Sequence, residues 1–266
     1  MGKQKGYIKR EMIFKTLAIA FSMYTVIPMP KVSWEKDNLR YVFIAFPLVG
    51  IVIGIIGYGA YFICDMFKLP DVVFGMIFTL LPIVVTGGIH LDGYADTSDA
   101  LYSHADNEKK LRIMDDPHTG AFAAICLCSL FIIVFSLWSG IRVFDPVLFT
   151  CGMMLSRILT GITVMSFPLS KSTGLLYTFS ESADKKRVRF FLIIFDMLVC
   201  AVMSLRSICG VLMVLISHAL LLFYYLMTKR EFKGISGDTS GWFIVQSEKW
   251  MLILAAAYYF IANKIL

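Results

Sequence analysis

The densest chemistry in the chain lies between Thr86 and Leu101, in the run T-G-G-I-H-L-D-G-Y-A-D-T-S-D-A-L. Asp92, Asp96 and Asp99 stand at i, i+4 and i+7, a spacing that stacks three carboxylates along one face of a helix. Like charges so placed repel one another, and the arrangement makes sense when a cation sits between them. A donor set of carboxylate oxygens selects Mg²⁺, Mn²⁺ or Ca²⁺ rather than zinc. A charge run is ordinarily a solvated face. This one abuts a long apolar stretch, is flanked by Gly87, Gly88 and Gly93, and is followed by Asp106, Glu108, Asp115 and Asp116. Unpaired carboxylates beside lipid are costly, which favours a bound metal.

Two further segments can serve the same chemistry. In I-M-D-D-P-H-T-G-A-F, Ile113 to Phe122, Asp115 and Asp116 can complete a metal site, while His118 and Gly120 stand where a loop enters a helix whose free N–H groups attract anions. In K-G-I-S-G-D-T-S-G-W, Lys233 to Trp242, the turn around Gly237 can offer backbone N–H groups to a phosphate, and Asp238 can hold a metal or orient a hydroxyl. Arg157 sits in the middle of an apolar stretch, so it is expected to face the protein interior and pair with a carboxylate or a phosphate. Glu248 reads as a helix-end carboxylate unless another segment supplies a partner. His90, His104, His118 and His218 lack zinc-site spacing, and neither a Walker phosphate loop nor a G-x-S-x-G turn is present. What remains is metal-dependent phosphate chemistry, in which an ion neutralises charge on the transferring and leaving oxygens.

The elements that must position these groups are read from composition. Of 266 residues, 58% are hydrophobic and 17% charged, with a mean hydropathy of +0.74. Soluble chains run about 45–50% apolar and roughly 25% charged, so lipid must be the solvent of this one. The long apolar runs predict an all-α polytopic membrane protein rather than a barrel. Seven stretches are expected to span, near 41–64, 72–89, 119–140, 146–168, 189–205, 207–227 and 249–264. The segment 12–29 ends at Pro28 and Pro30 and begins among charges. It predicts an interfacial or re-entrant helix, with a full span as the alternative.

With a cytoplasmic N-terminus, this arrangement puts 20 of the 25 Lys and Arg on the inside, in the same compartment as the Asp92–Asp116 cluster. The net charge of +6 therefore reports orientation rather than nucleic-acid binding. Cys64, Cys126, Cys128, Cys151, Cys200 and Cys209 lie in or at the ends of apolar runs and read as reduced small hydrophobes. One catalytic domain over 1–266 is the simplest division.

These blocks together resemble the cobalamin 5'-phosphate synthases, also called adenosylcobinamide-GDP ribazoletransferases. The resemblance rests on F-P-L-V-G-I-V-I-G (Phe46 to Gly54), G-G-I-H-L-D-G-Y-A-D-T-S-D-A-L (Gly87 to Leu101), I-M-D-D-P-H-T-G-A-F, and G-D-T-S-G with the later Glu248. It departs at Asp115, where the family often carries a basic residue, and at Pro117, where a small one is usual. The resemblance implies a membrane enzyme that needs Mg²⁺, joins adenosylcobinamide-GDP to α-ribazole or its 5'-phosphate, and releases GMP. It implies Asp92, Asp96 and Asp99 as metal ligands, and Asp92, Asp96, Asp99 and Asp116 as the catalytic group. Expected substrate contacts are His90, His118, Arg157, Gly237 and Asp238. The ribose 3'-hydroxyl of α-ribazole is expected to attack the phosphorus that bears the cobinamide, with Asp96, Asp99 or Asp116 taking its proton. The expected setting is the cell membrane with the site facing the cytoplasm. Homo-oligomers and association with other enzymes of the pathway are left open. Two rivals remain: a CDP-alcohol phosphotransferase, whose D-G-x-x-A-R pattern is only echoed by D-G-Y-A-D, and a cation transporter, for which Asp196 is the main carboxylate inside a span.

Overall fold

The computed structural model describes the backbone of residues 2–265 and the side chains of residues 11–262. Twelve helices are described: α1 (Gly2–Tyr24), α2 (Lys36–Leu39), α3 (Val42–Met66), α4 (Asp71–Thr86), α5 (Ile89–Tyr102), α6 (Asn107–Met114), α7 (Ala121–Ile141), α8 (Pro146–Ser166), α9 (Leu175–Ser182), α10 (Lys185–Arg206), α11 (Ile208–Glu231) and α12 (Gly237–Ile265). The protein is an all-α polytopic membrane protein. Helix is the answer lipid demands, since every backbone N–H and C=O must be satisfied within its own segment. Side chains follow the same rule: Thr79, Thr150, Thr160 and Ser217 each donate their hydroxyl to the carbonyl four residues earlier.

Helix α8 is the axis of the bundle. Over its apolar window 78% of residues are buried, against 17%, 22% and 28% in α7, α10 and α11, which turn most of their surface outward. Lipid tails are as apolar as leucine, so the bundle is held by close packing rather than by expulsion of water. The close approach is glycine-made. A Cβ on Gly50 of α3 would lie 2.6 Å from the backbone nitrogen of Met154 on α8, and one on Gly54 would lie 2.2 Å from Thr150 Oγ1. The glycines of the F-P-L-V-G-I-V-I-G block are thus the α3–α8 seam.

Among the described residues, five helices are long and apolar enough to cross a membrane: α3, α7, α8, α10 and α11. A sixth span arises if α4 and α5, bent by 97° to one another, count as one broken span. Two of the seven expected stretches therefore differ from expectation. The second stops at Thr86 because Gly87 and Gly88 both take left-handed backbone, with φ of +66° and +79°. The amides of both glycines close on the carbonyl of Ile83, and the chain leaves in a new direction. Beyond this bend α5 turns across the mouth of the bundle and packs against α12 and α7. The last stretch is part of a helix that begins at Gly237, well before residue 249, so most of the loop expected over 228–249 is helical. Helix α1 packs on α3 and α2 and buries Ala18, Ile19 and Ala20.

The two ends of the bundle differ. At one end Arg142 pairs with Asp71, and Arg206 pairs with Asp145, which gathers the turns around residues 71, 142 and 206. The acidic segments gather at the other.

Candidate active site

Helices α5 and α12 cross with almost nothing between them. A Cβ on Gly93 would lie 2.6 Å from the carbonyl oxygen and 2.8 Å from the Cα of Asp238, and one on Gly241 would lie 3.0 Å from the carbonyl oxygen of His90. Glycine on each helix brings backbone against backbone, and the contact sets Asp238, in the first turn of α12, beside the carboxylates of α5. The start of α12 is itself fixed by a reciprocal capping box. Ser236 Oγ accepts from the Thr239 amide at 3.1 Å while Thr239 Oγ1 accepts from the Ser236 amide at 2.8 Å. Tyr224 of α11 meets Thr239 Oγ1 at 3.1 Å. The G-I-S-G-D-T-S-G turn therefore spends two of its amides on its own helix start, while Gly237 remains exposed at the tip.

Asp92, Asp96 and Asp99 occupy one face of α5, as their spacing predicts, with Asp92 exposed and the other two half-buried. Burial pushes the carboxyl of Asp96 up to about 6, and Asp92, Asp238 and Asp99 add to the shift in that order. Asp238 is also raised by burial, against the opposing charge of Lys171. Asp99 also anchors a neighbouring helix, because its Oδ1 accepts from the Ala123 amide at 3.3 Å, at the N-terminus of α7. A Cβ on Gly120 would lie 2.0 Å from Asp99 Oδ2, so only glycine lets that carboxylate reach the helix start.

The two adjacent aspartates of the I-M-D-D-P-H block part company. Asp116 turns to His118, accepting from its backbone amide at 2.9 Å and meeting its ring nitrogen Nδ1 at 2.7 Å. The amide holds the Asp116 carboxyl below the usual range, and the imidazole adds to it. Both side chains are largely in solvent. Asp115 instead pairs with Lys171, on the loop between α8 and α9. That loop is tied to the site by a short parallel bridge: the Ile235 amide donates to Pro168 and the Ser170 amide to Ile235, each at 2.9 Å.

Asp92, Asp115, Lys171 and Asp238 line a cavity of about 460 Å³ that runs inward past His90 to the rings of Tyr24, Phe43, Phe46 and Phe179. His90 is held neutral, its pKa lowered to about 3 by burial and by the Arg157 charge, and its Nε2 is buried without a hydrogen-bond partner. Arg157 itself is 1% exposed and pairs with Glu248 of α12, donating also to the Met153 carbonyl at 2.8 Å. Its expected partner is thus the carboxylate, and Glu248 is no simple helix-end charge. Lys185 and Arg187 pair locally with Glu181 and Asp184.

The structure thus brings Asp92, Asp96, Asp238, His90 and Gly237 to one crossing, with Asp99 at its edge. Asp116 and His118 stay on an open rim, and Arg157 is committed inside the bundle. Among the described residues, three ligand atoms meet within 4.8 Å only at Asp196, Cys200 and His218, in the middle of α10 and α11. The mouth carboxylates are close enough to raise one another's proton affinity, yet they do not close a full coordination shell among themselves. Sequence reasoning missed Lys171, which it counted only among the basic residues on the inside, and the pairing of Asp115 with it. No local signal joins residues 115 and 171.

A family model described as cobalamin-5-phosphate synthase matches residues 16–256. A protein of Lachnoclostridium phytofermentans named adenosylcobinamide-GDP ribazoletransferase is 37% identical over 236 residues, covering 88% of this chain and 90% of its own length. Proteins of the same name from Geobacillus sp. and Clostridium perfringens are 31% and 29% identical, covering 88% and 90% of this chain and 92% and 96% of their own. No solved structure matches.

Proposed function

The chain belongs to the cobalamin-5-phosphate synthase family, and from that premise we infer the chemistry of its mouth. The protein is an adenosylcobinamide-GDP ribazoletransferase of cobalamin biosynthesis. The reading that goes with this activity is a Mg²⁺-dependent transfer in which α-ribazole or its 5'-phosphate displaces GMP from adenosylcobinamide-GDP. The phosphotransferase and transporter alternatives lose their ground with the family match.

The observation that carries the metal reading is the glycine-made crossing that sets Asp238 beside the carboxylate face of Asp92, Asp96 and Asp99 in one partly buried space. The donors are all hard oxygens, which suits Mg²⁺. Their open spacing suits an ion that keeps several waters and takes its remaining ligands from substrate phosphates. Asp92, Asp96 and Asp238 would hold it, with Asp99 shared between the ion and the start of α7. When bound, Mg²⁺ would neutralise charge developing on the diphosphate.

The protein's own groups supply the rest. Gly93 and Gly241 keep Asp238 against α5. Of the expected bases, Asp96 and Asp99 stand within the carboxylate group while Asp116 lies on the open rim, so one of those two would take the proton of an attacking hydroxyl. Neutral His90 lines the cavity, with its Nε2 enclosed by protein. Asp116 and His118 are left for the open rim, where the larger substrate would approach.

The mouth is assigned to the cytoplasmic face of the cell membrane, supported by the 20 of 25 basic residues that the expected topology puts on its side. Sealed vesicles of the two orientations, supplied with adenosylcobinamide-GDP, α-ribazole and Mg²⁺, test both points. GMP release only where the cytoplasmic face is outward, lost with a chelator and restored by Mg²⁺, is expected. Release that survives chelation would remove the metal, and release from the other orientation would reverse the topology.

A further inference from the structure

We propose that the cavity between α5, α12 and the α8–α9 loop is the acceptor subsite, and that Lys171 binds the 5'-phosphate of an aromatic-base ribonucleoside there. The inference rests on the transferase reading and goes beyond it, because it names the cavity and the residue that would recognise the acceptor's phosphate. A volume of about 460 Å³ falls within the ~300–1,000 Å³ typical of small-molecule pockets. It holds a nucleoside monophosphate and is too small for a corrin ring with its side arms, so the larger substrate must lie outside at the rim.

The walls divide by chemistry. The inner end carries Tyr24, Phe43, Phe46 and Phe179, faces suited to a flat heterocycle. Tyr24 and His90 stack with ring centroids 6.1 Å apart. His90, 8% exposed, adds a neutral ring to this wall. The outer end carries carboxylates and a single cation, Lys171, among the described lining residues. A subsite meant for a neutral nucleoside would need no cation. Lys171 is kept at the cavity wall by Asp115 and by the bridge between residues 169 and 235, so a phosphate replaces one anionic partner of Lys171 by another.

Equilibrium binding of α-ribazole and α-ribazole 5'-phosphate to the full-length protein in detergent, with no second substrate, tests this directly. The expected result is tighter binding of the phosphate form by the wild type. Lys171→Met should weaken that form by roughly tenfold or more and leave α-ribazole within about twofold, with Lys171→Arg restoring most of the loss. Asp115→Asn frees the lysine and should tighten the phosphate form. Equal weakening of both acceptors, no weakening of either, or failure of the wild type to bind them would overturn the subsite. A Lys171→Met effect confined to the KM for adenosylcobinamide-GDP would also overturn it. Selective binding without any turnover would sink the transferase reading and leave the subsite standing.

Discussion

Two of the places where this molecule holds charge away from bulk water resolve it in opposite ways. Inside the bundle, Arg157 and Glu248 complete each other, with the Met153 carbonyl and the Ser156 hydroxyl taking further hydrogen bonds. At the α5–α12 crossing, Asp96 has only Asp92, Asp238 and Asp99 for company, and its carboxyl is raised accordingly. A charge finished by the fold serves the fold. A charge left unfinished, and brought there by glycines that allow no side chain between the helices, marks where the protein expects something from outside.

The sharpest way to break this contrast is to neutralise one member of each group and read activity and stability together. Asp92→Asn should cost on the order of 10²–10³-fold in turnover, the scale of removing one well-placed electrostatic group from a transfer site. It should leave the melting temperature unchanged or raised, since a repulsive neighbour is gone. Arg157→Met should do the reverse, costing about 3–5 kcal/mol in stability by stranding Glu248. The double change Arg157→Met with Glu248→Leu should recover most of that loss, because an apolar pair of similar volume needs no partner. If Asp92→Asn destabilised as much as Arg157→Met, the mouth would be a structural network like the interior pair.

A smaller effect probes the crossing itself. In Gly93→Ala the new methyl meets Asp238 backbone at 2.6 Å, which cannot rotate away, so the helices must part. Overpacking of this kind costs about 1–3 kcal/mol. Turnover should fall by more than the stability loss explains, because Asp238 leaves the carboxylate group. Gly59→Ala, with open space around its Cβ position, is the control, and an equal fall in both would deny the crossing any special role.

What could be read in the sequence follows the same division. The stripe of Asp92, Asp96 and Asp99 is a local feature, fixed by helical period, and the stripe is where the spacing puts it. The bend at Gly87 and Gly88 is local too, but its 97° turn depends on both residues taking left-handed backbone, which composition alone does not dictate. Pairings across the fold were out of reach. Arg157 meets Glu248 from 91 residues away, and nothing in I-M-D-D says that Asp115 turns toward Lys171 while its neighbour Asp116 bonds to His118. The S-G-D-T segment carries the spacing of a capping box, and reading it only as a phosphate turn placed the start of α12 too late.

The last and smallest effect concerns protons. Because the folded Asp96 carboxyl is raised from 3.8 to about 6, the folded protein without metal holds a proton there that the unfolded chain has released. Its stability should therefore fall as pH rises from about 4 to about 6 and level off above, with the ionised group then fully penalised. A divalent cation competes with that proton and favours the ionised form. In chelator the melting temperature should decline across this window and Mg²⁺ should cancel the decline, while raising the Mg²⁺ concentration should move the acid limb of activity to lower pH. The interior pair predicts no such metal dependence, since Arg157 already neutralises Glu248. A pH profile of melting indifferent to Mg²⁺ would mean that the mouth, like the interior, is electrically complete as folded.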